Sequence, residues 1–348
     1  MSSLIFAALV LAGLLACQPA STPPPAEPAG TAQAGKAAEP VKVPPQVKVG
    51  EFSSAEELLG ALETADLGLD QLQADISYDR TFDLEGERQI RQGAMYFQIL
   101  RPKPAQGAAD KPGEVVARAT KRFAVRFDSL IVGRTKREET RIHVFDGTVF
   151  ADKFPGDKRM TRRQIVGPGE SFDPLKLGEG PLPIPIGQSK DEILRRYEAH
   201  LLPAEADLTD DTLKKFTAGS VQLRLVPREA FKQTDDFKEI RIWYRGKSPA
   251  KMAKDDSPSE RLLPRMARTK NRNGDVSIVQ LINVKVNSDA KIDASIISTE
   301  AEPGWQVSDS GFHQALPAKP APIPEAPKPV EAPANPPVDP KSPGTTDR

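Results

Sequence analysis

From about Glu51 to Ala315 the apolar positions recur mostly every second residue, with two stretches of helical spacing between them. The first stretch opens with Ser54-Ala55-Glu56-Glu57, a capping box, and continues with Leu58, Leu59 and Leu62 on one side, which predicts a helix. The period then drops to two. Leu72, Ala74, Ile76 and Tyr78 alternate with Gln73, Asp75, Ser77 and Asp79, and the pattern resumes at Phe82 and Leu84. One apolar and one wet face is the signature of an antiparallel strand. A second strand covers about Gln89 to Leu100, with Met95 and Phe97 on one face. A third carries Phe123, Val125 and Phe127 against Ala124, Arg126 and Asp128.

Ile142 and Val144 lead through Asp146-Gly147 into Val149 and Ala151, and Asp-Gly suits the positive φ angles of a tight hairpin. Pro155-Gly156-Asp157 turns into Arg159 to Val166. Later strands are expected at 220–226, 239–245, 262–269 and 275–286, the last two joined by Asn273-Gly274. A second amphipathic helix is expected after Ser189, with Ile193, Leu194 and Tyr197 on one side and His200 at its end. Glycine- and proline-bearing stretches at Gly167-Pro168-Gly169 and Gly178-Glu179-Gly180 read as a surface loop. The sum is roughly nine or ten strands in consecutive hairpins plus two helices, an α+β chain that is mainly β. The architecture this implies is a curved antiparallel sheet or open half-barrel covered by helices.

The two ends differ in composition from this core. Met1 to Ala16 carries an unbroken apolar run from Leu4, shorter than the ~20 residues a membrane-spanning helix needs and fitting a signal peptide. The run ends Leu14-Leu15-Ala16-Cys17. Cys17 is the only cysteine of 348 residues, which excludes a disulfide within the chain. A thiolate is the nucleophile a lipid donor requires. Cleavage between Ala16 and Cys17, with lipid on Cys17, is the expectation. Gln18 stands where Asp would favour inner-membrane retention, so the expected place is the periplasmic side of the cell envelope, at the outer membrane. Residues 19–50 hold 8 prolines and residues 316–348 hold 11 of the chain's 34. Neither segment has apolar periodicity, so both read as a proline-rich linker and tail. The domain reading is therefore 1–16 signal peptide, 17–50 lipidated cysteine and linker, 51–315 half-barrel, 316–348 tail.

Charge and chemistry narrow the function mainly by exclusion. Lys+Arg and Asp+Glu both number 48, and a balanced chain gives no argument for nucleic acid. The three histidines, His143, His200 and His313, show no metal-ligand spacing, and no nucleophile elbow or phosphate loop is present. No catalytic residue, metal or cofactor is expected. Lys158 to Arg163 is the densest basic run and reads as a solvated strand face.

Several segments resemble the outer-membrane lipoprotein carrier and sorting family (LolA-like). They are Gln92-Gly93-Ala94-Met95-Tyr96-Phe97, Arg122 to Phe127, the hairpin Val144 to Phe150, Phe172 to Gly178, Leu182 to Gly187, Leu281 to Asn287 and Pro303-Gly304-Trp305. The Asp-Pro-Leu and Pro-Ile-Gly segments are similar to those of large lipoproteins from Planctomycetes-type bacteria. The resemblance implies an open barrel whose apolar lumen takes a lipid or the acyl group of a lipoprotein, without covalent chemistry. On that reading Leu72, Ile76, Tyr78, Met95, Phe97, Phe123, Val125, Phe127 and Trp243 line an incompletely filled hollow. The lipid on Cys17 provides the membrane tether. A rival expectation is the same fold as a module that binds an envelope protein or senses stress; a hydrolase is a third.

Overall fold

The computed structural model describes residues 51–101, 119–167, 172–177 and 184–310. Residues 1–50, with the expected signal peptide, Cys17 and linker, and residues 311–348, with His313 and the expected tail, lie outside the described residues. The helices are α1 (Ala55–Glu63), α2 (Lys190–Arg196) and α3 (Asp211–Thr217). The strands are β1 (Gln71–Thr81), β2 (Arg88–Leu100), β3 (Thr120–Val132), β4 (Thr135–Phe145), β5 (Val149–Phe154) and β6 (Arg159–Gln164), followed by β7 (Tyr197–Pro203), β8 (Val221–Pro227), β9 (Phe237–Arg245), β10 (Leu263–Asn271), β11 (Val276–Val286) and β12 (Gln306–Ser310).

All twelve strands form one open sheet in the order β12-β6-β5-β4-β3-β2-β1-β11-β10-β9-β8-β7. Two hairpin runs, β1–β6 and β7–β11, meet where β1 pairs with β11. Every pairing is antiparallel except that of β12, which lies parallel to β6. Turn chemistry fixes much of the register. Asp146 Oδ1 accepts from the amides of Thr148 and Val149, and Gly147 takes φ 109° between β4 and β5. At Gly93 the β2–β3 register slips, and a Cβ there would sit 1.8 Å from the Arg126 carbonyl oxygen, so only glycine admits this close approach.

The sheet is covered on both faces. The inner face, defined as the one beneath α1, carries two clusters. Under α1, Leu58, Leu59 and Leu62 pack against Leu223, Leu225, Ile240, Ile242 and Tyr244. Ser54 caps this helix by accepting from the Glu57 amide at 3.1 Å, and Arg261 donates to the carbonyls of Ala65 and Leu67 just beyond its far end. The second inner cluster spans β1–β5, β10 and β11. The outer face of β2–β4 is closed by Ile292, Ile296 and Ile297, from the segment that carries the chain from β11 across to β12. The outer face of β9–β10 is closed by Leu208, Leu213 and Phe216.

Several sequence expectations change. The alternation at Phe82 and Leu84 is not strand: the chain turns there, Gly86 takes φ 63°, and Leu84 is exposed. His200 lies in β7, because the second helix ends at Arg196 and Tyr197 is already extended. Strand β12 and helix α3, the latter capped by Asp210 on the Thr212 and Leu213 amides, go beyond the elements that periodicity predicts.

Candidate functional site

The candidate site is the inner face between β11 and β6. Its apolar part is assembled by strand register. Leu72 lies opposite Phe97, which lies opposite Phe123, which lies opposite Phe145, so four neighbouring strands present one row of side chains. Met95 and Val125 form the adjacent row, and Phe127 follows one step further along β3. Leu72, Ile76, Met95, Phe97, Phe123, Val125 and Phe127 belong to a single cluster, and each is at most 4% exposed. Tyr78 packs on its margin, with its ring 6.2 Å from that of Phe127.

Trp243 is elsewhere. It stands on the outer face, against Leu208 and Met266, with Nε1 donating to the Ala204 carbonyl at 2.7 Å. Its neighbour Tyr244 is the aromatic of β9 that faces inward, beneath α1. Alternation alone establishes that the two point to opposite faces; which of them points inward depends on the register with β8 and β10.

The apolar row is not open to solvent. It lies under a cover built from residues 165–167, 172–177 and 184–187, whose Val166, Leu175, Ile184 and Ile186 are buried in the cluster with Phe172 packed beside them. Phe172 meets Phe145 edge-on at 5.4 Å between ring centres. Of the two glycine-bearing stretches read as a surface loop, only Gly167 is among the described residues, and the apolar residues near them face the sheet. The cover has almost no regular structure of its own. A cluster of polar contacts around Lys121 ties it to the sheet. Lys121, at the start of β3, places Nζ 2.7 Å from Asp173 Oδ2, 3.1 Å from the Ile186 carbonyl and 3.3 Å from Asp66 Oδ2. Gly187 fits against the Asp66 carboxylate only for want of a Cβ, which would lie 2.3 Å from it.

At the other end the same face becomes charged. Arg91 pairs across from Tyr78, Arg141 from Phe127, and Arg163 from Phe150, so all three guanidiniums share the face of the apolar row. One carboxylate, Glu139, receives Arg91 at 2.9 Å, Arg141 at 2.9 Å and Arg137 at 2.8 Å. Asp152 receives His143 at 2.6 Å and Arg163 at 3.4 Å. Burial alone would raise the Glu139 carboxyl, but the hydrogen bond from Arg91 and the three guanidiniums outweigh it and hold it below the usual range. Burial, with Arg141 and Arg137 nearby, moves Arg91 below its usual value despite its bond to Glu139. The His143 ring joins the two zones, edge-on to Phe127 at 6.0 Å and stacked on Phe150 at 6.4 Å. Sequence patterning does not single out this charged zone; its arginines are scattered along the chain and meet only through strand pairing. Among the described residues no group of three His, Cys, Asp or Glu side chains could hold a metal, and no helix is long and apolar enough to cross a membrane.

No family model matches the chain, and no curated protein matches it. Solved structures do. An uncharacterized conserved protein from Thermus thermophilus is 10% identical with a TM-score of 0.35, over 73% of this chain and 98% of that one. An outer membrane lipoprotein-sorting protein domain from Vibrio parahaemolyticus is 9% identical with a TM-score of 0.29, over 70% and 95%. A LolA superfamily protein from Nitrosomonas europaea is 10% identical with a TM-score of 0.24, over 70% and 97%. Likenesses at this level carry no argument, and the description of the fold rests on the strand order given above. In architecture the chain is an open, mostly antiparallel sheet of twelve strands with few helices among the described residues.

Proposed function

We propose that this protein is a cell-envelope module, anchored through a lipid on Cys17, that receives a lipid or the acyl group of a lipoprotein on the inner face of its sheet and passes it on without covalent chemistry. The observation that carries the reading is the pairing of a continuous apolar row with an irregular cover. A sheet face this greasy is normally closed by a helix or a second sheet, as α1 closes the neighbouring half. Here the closing element is a loop whose apolar residues stand where an acyl chain would lie. Each methylene buried is worth ~0.8 kcal/mol, so a chain of about ten carbons brings ~8 kcal/mol gross to offset the packing that the cover gives up as it moves aside. Release follows the reverse path, as the cover competes for the same surface. The proline-rich linker gives the domain reach from the membrane.

The test is native mass spectrometry of the full chain, purified from its membrane without added lipid, together with displacement of a fluorescent fatty acid. Bound acyl species and saturable displacement are expected. Repeated absence of both would remove the proposal.

A further inference from the structure

Acyl binding alone leaves the charged end of the inner face without a role. Four guanidiniums, from Arg91, Arg137, Arg141 and Arg163, converge there on two carboxylates, Glu139 and Asp152. An isolated surface pair needs no explanation, but this cluster is unlike one. Arg91 is only 13% exposed yet shares its counter-ion with two other arginines. The buried Nε of Arg163 has no hydrogen-bond partner. Arg163 and Arg141 also lie over aromatic rings, Phe150 at 5.5 Å and Phe154 at 5.3 Å, contacts that favour these positions for the guanidiniums. Positive charge is therefore in excess, partly desolvated and preorganised, and it abuts the apolar row through Phe127 and Phe150.

We propose that Arg91, Arg137, Arg141 and Arg163 form an anion subsite for the phosphate or carboxylate headgroup of an amphiphile whose tail lies along the apolar row. This rests on the acyl-binding reading and adds the class of ligand. From Phe127 to Phe123 the row runs four residues along β3, about 14 Å, so head and tail of one molecule reach both zones. Guanidiniums suit such a head because their paired donors match phosphate and carboxylate oxygens. Arg137 is 62% exposed and stands at the rim, where a headgroup arrives first; Arg91 lies deeper. Glu139 is the internal competitor that the incoming anion partly replaces.

The experiment uses the full chain carrying Cys17→Ser, and compares dodecyl phosphate, dodecanol and inorganic phosphate by displacement of a fluorescent fatty acid and by calorimetry. Dodecyl phosphate is expected to bind about tenfold or more tighter than dodecanol. In the Arg137→Gln/Arg141→Gln variant, with folding checked by thermal melting, that preference should fall below about threefold while dodecanol affinity stays unchanged. Arg137→Gln alone, at an exposed position, provides the same readout with a smaller loss should the double variant not fold. Equal affinity for the two amphiphiles in the parent chain would overturn the subsite and leave acyl binding standing. Failure of both amphiphiles to bind would overturn the acyl reading and the subsite with it. Inorganic phosphate binding as tightly as dodecyl phosphate would make the site one for a free anion and overturn the headgroup assignment.

Discussion

Replacing Lys121 by Met tests whether the cover is a separable unit. The substitution keeps the length of the side chain and removes the charge that Asp173, Asp66 and the Ile186 carbonyl share. Hydrogen bonds to charged groups contribute about 1.5–3 kcal/mol each, and the half-buried position of both carboxylates places the net loss near ~2 kcal/mol. If that loss falls on the closed cover, its open population rises about 30-fold. The amides to follow are those of Leu175, which donates to Asp173 Oδ1, and Leu177, which donates to Gln188 Oε1. Hydrogen exchange at both should accelerate by about that factor, with β2–β3 amides such as those of Phe97 and Val125 changing far less. A fatty-acid probe should bind more tightly by up to the same factor, because less of its binding energy goes into opening the cover. Uniform acceleration across cover and strands, or unchanged exchange at Leu175 and Leu177 despite a lower melting temperature, would refute the reasoning: Lys121 would then support the whole sheet and not the cover.

Three further outcomes follow from individual side chains. Trp243→Phe loses the bond to the Ala204 carbonyl on the outer face and should cost about 1–2 kcal/mol by denaturant titration, while fatty-acid affinity stays unchanged. Gly93→Ala places a methyl against the Arg126 carbonyl and should destabilise by about 3 kcal/mol or prevent folding, read from expression and thermal melting. Burial pushes the Asp275 carboxyl up, but hydrogen bonds from Arg80 at 2.8 Å and the Asp83 amide more than reverse this and hold it below its usual range. A carboxylate lowered in the folded state stabilises fully above its unfolded value of about 4, and that stability fades as pH falls through the folded value. Asp275→Asn should therefore cost about 2 kcal/mol at pH 7 and progressively less below about pH 4, measured by urea unfolding across pH.

The strands were legible wherever one face is buried and the other wet. Leu72 to Tyr78 and Phe123 to Phe127 alternate because large apolar side chains fill their inner face while polar or small residues stand on the outer one, and the Asp146-Gly147 and Asn273-Gly274 turns announce their hairpins by chemistry. Strand β7 was hidden because Tyr197 to Pro203 follows a helix without a break, and β12 because its five residues are all exposed and carry no alternation. The cover was not legible for a physical reason. Prolines and glycines mark irregular backbone, but they do not say whether nearby apolar residues face water, and Leu175, Ile184 and Ile186 are buried against the sheet. The hollow expected from sequence is, in the structure, a surface those residues occupy. The arginine zone was invisible because Arg91 and Glu139 are 48 positions apart and meet only through the β2–β3–β4 register.

The most direct test of the account is photo-crosslinking with a diazirine-bearing fatty acid, followed by mapping of the labelled peptides. Adducts on the inner row, at Met95, Phe97, Phe123 or Phe145, and on the cover residues Phe172 to Leu177 are the predicted result. Saturable labelling confined to the outer face around Trp243, Ile292 or Ile297, with the inner row untouched, would contradict it.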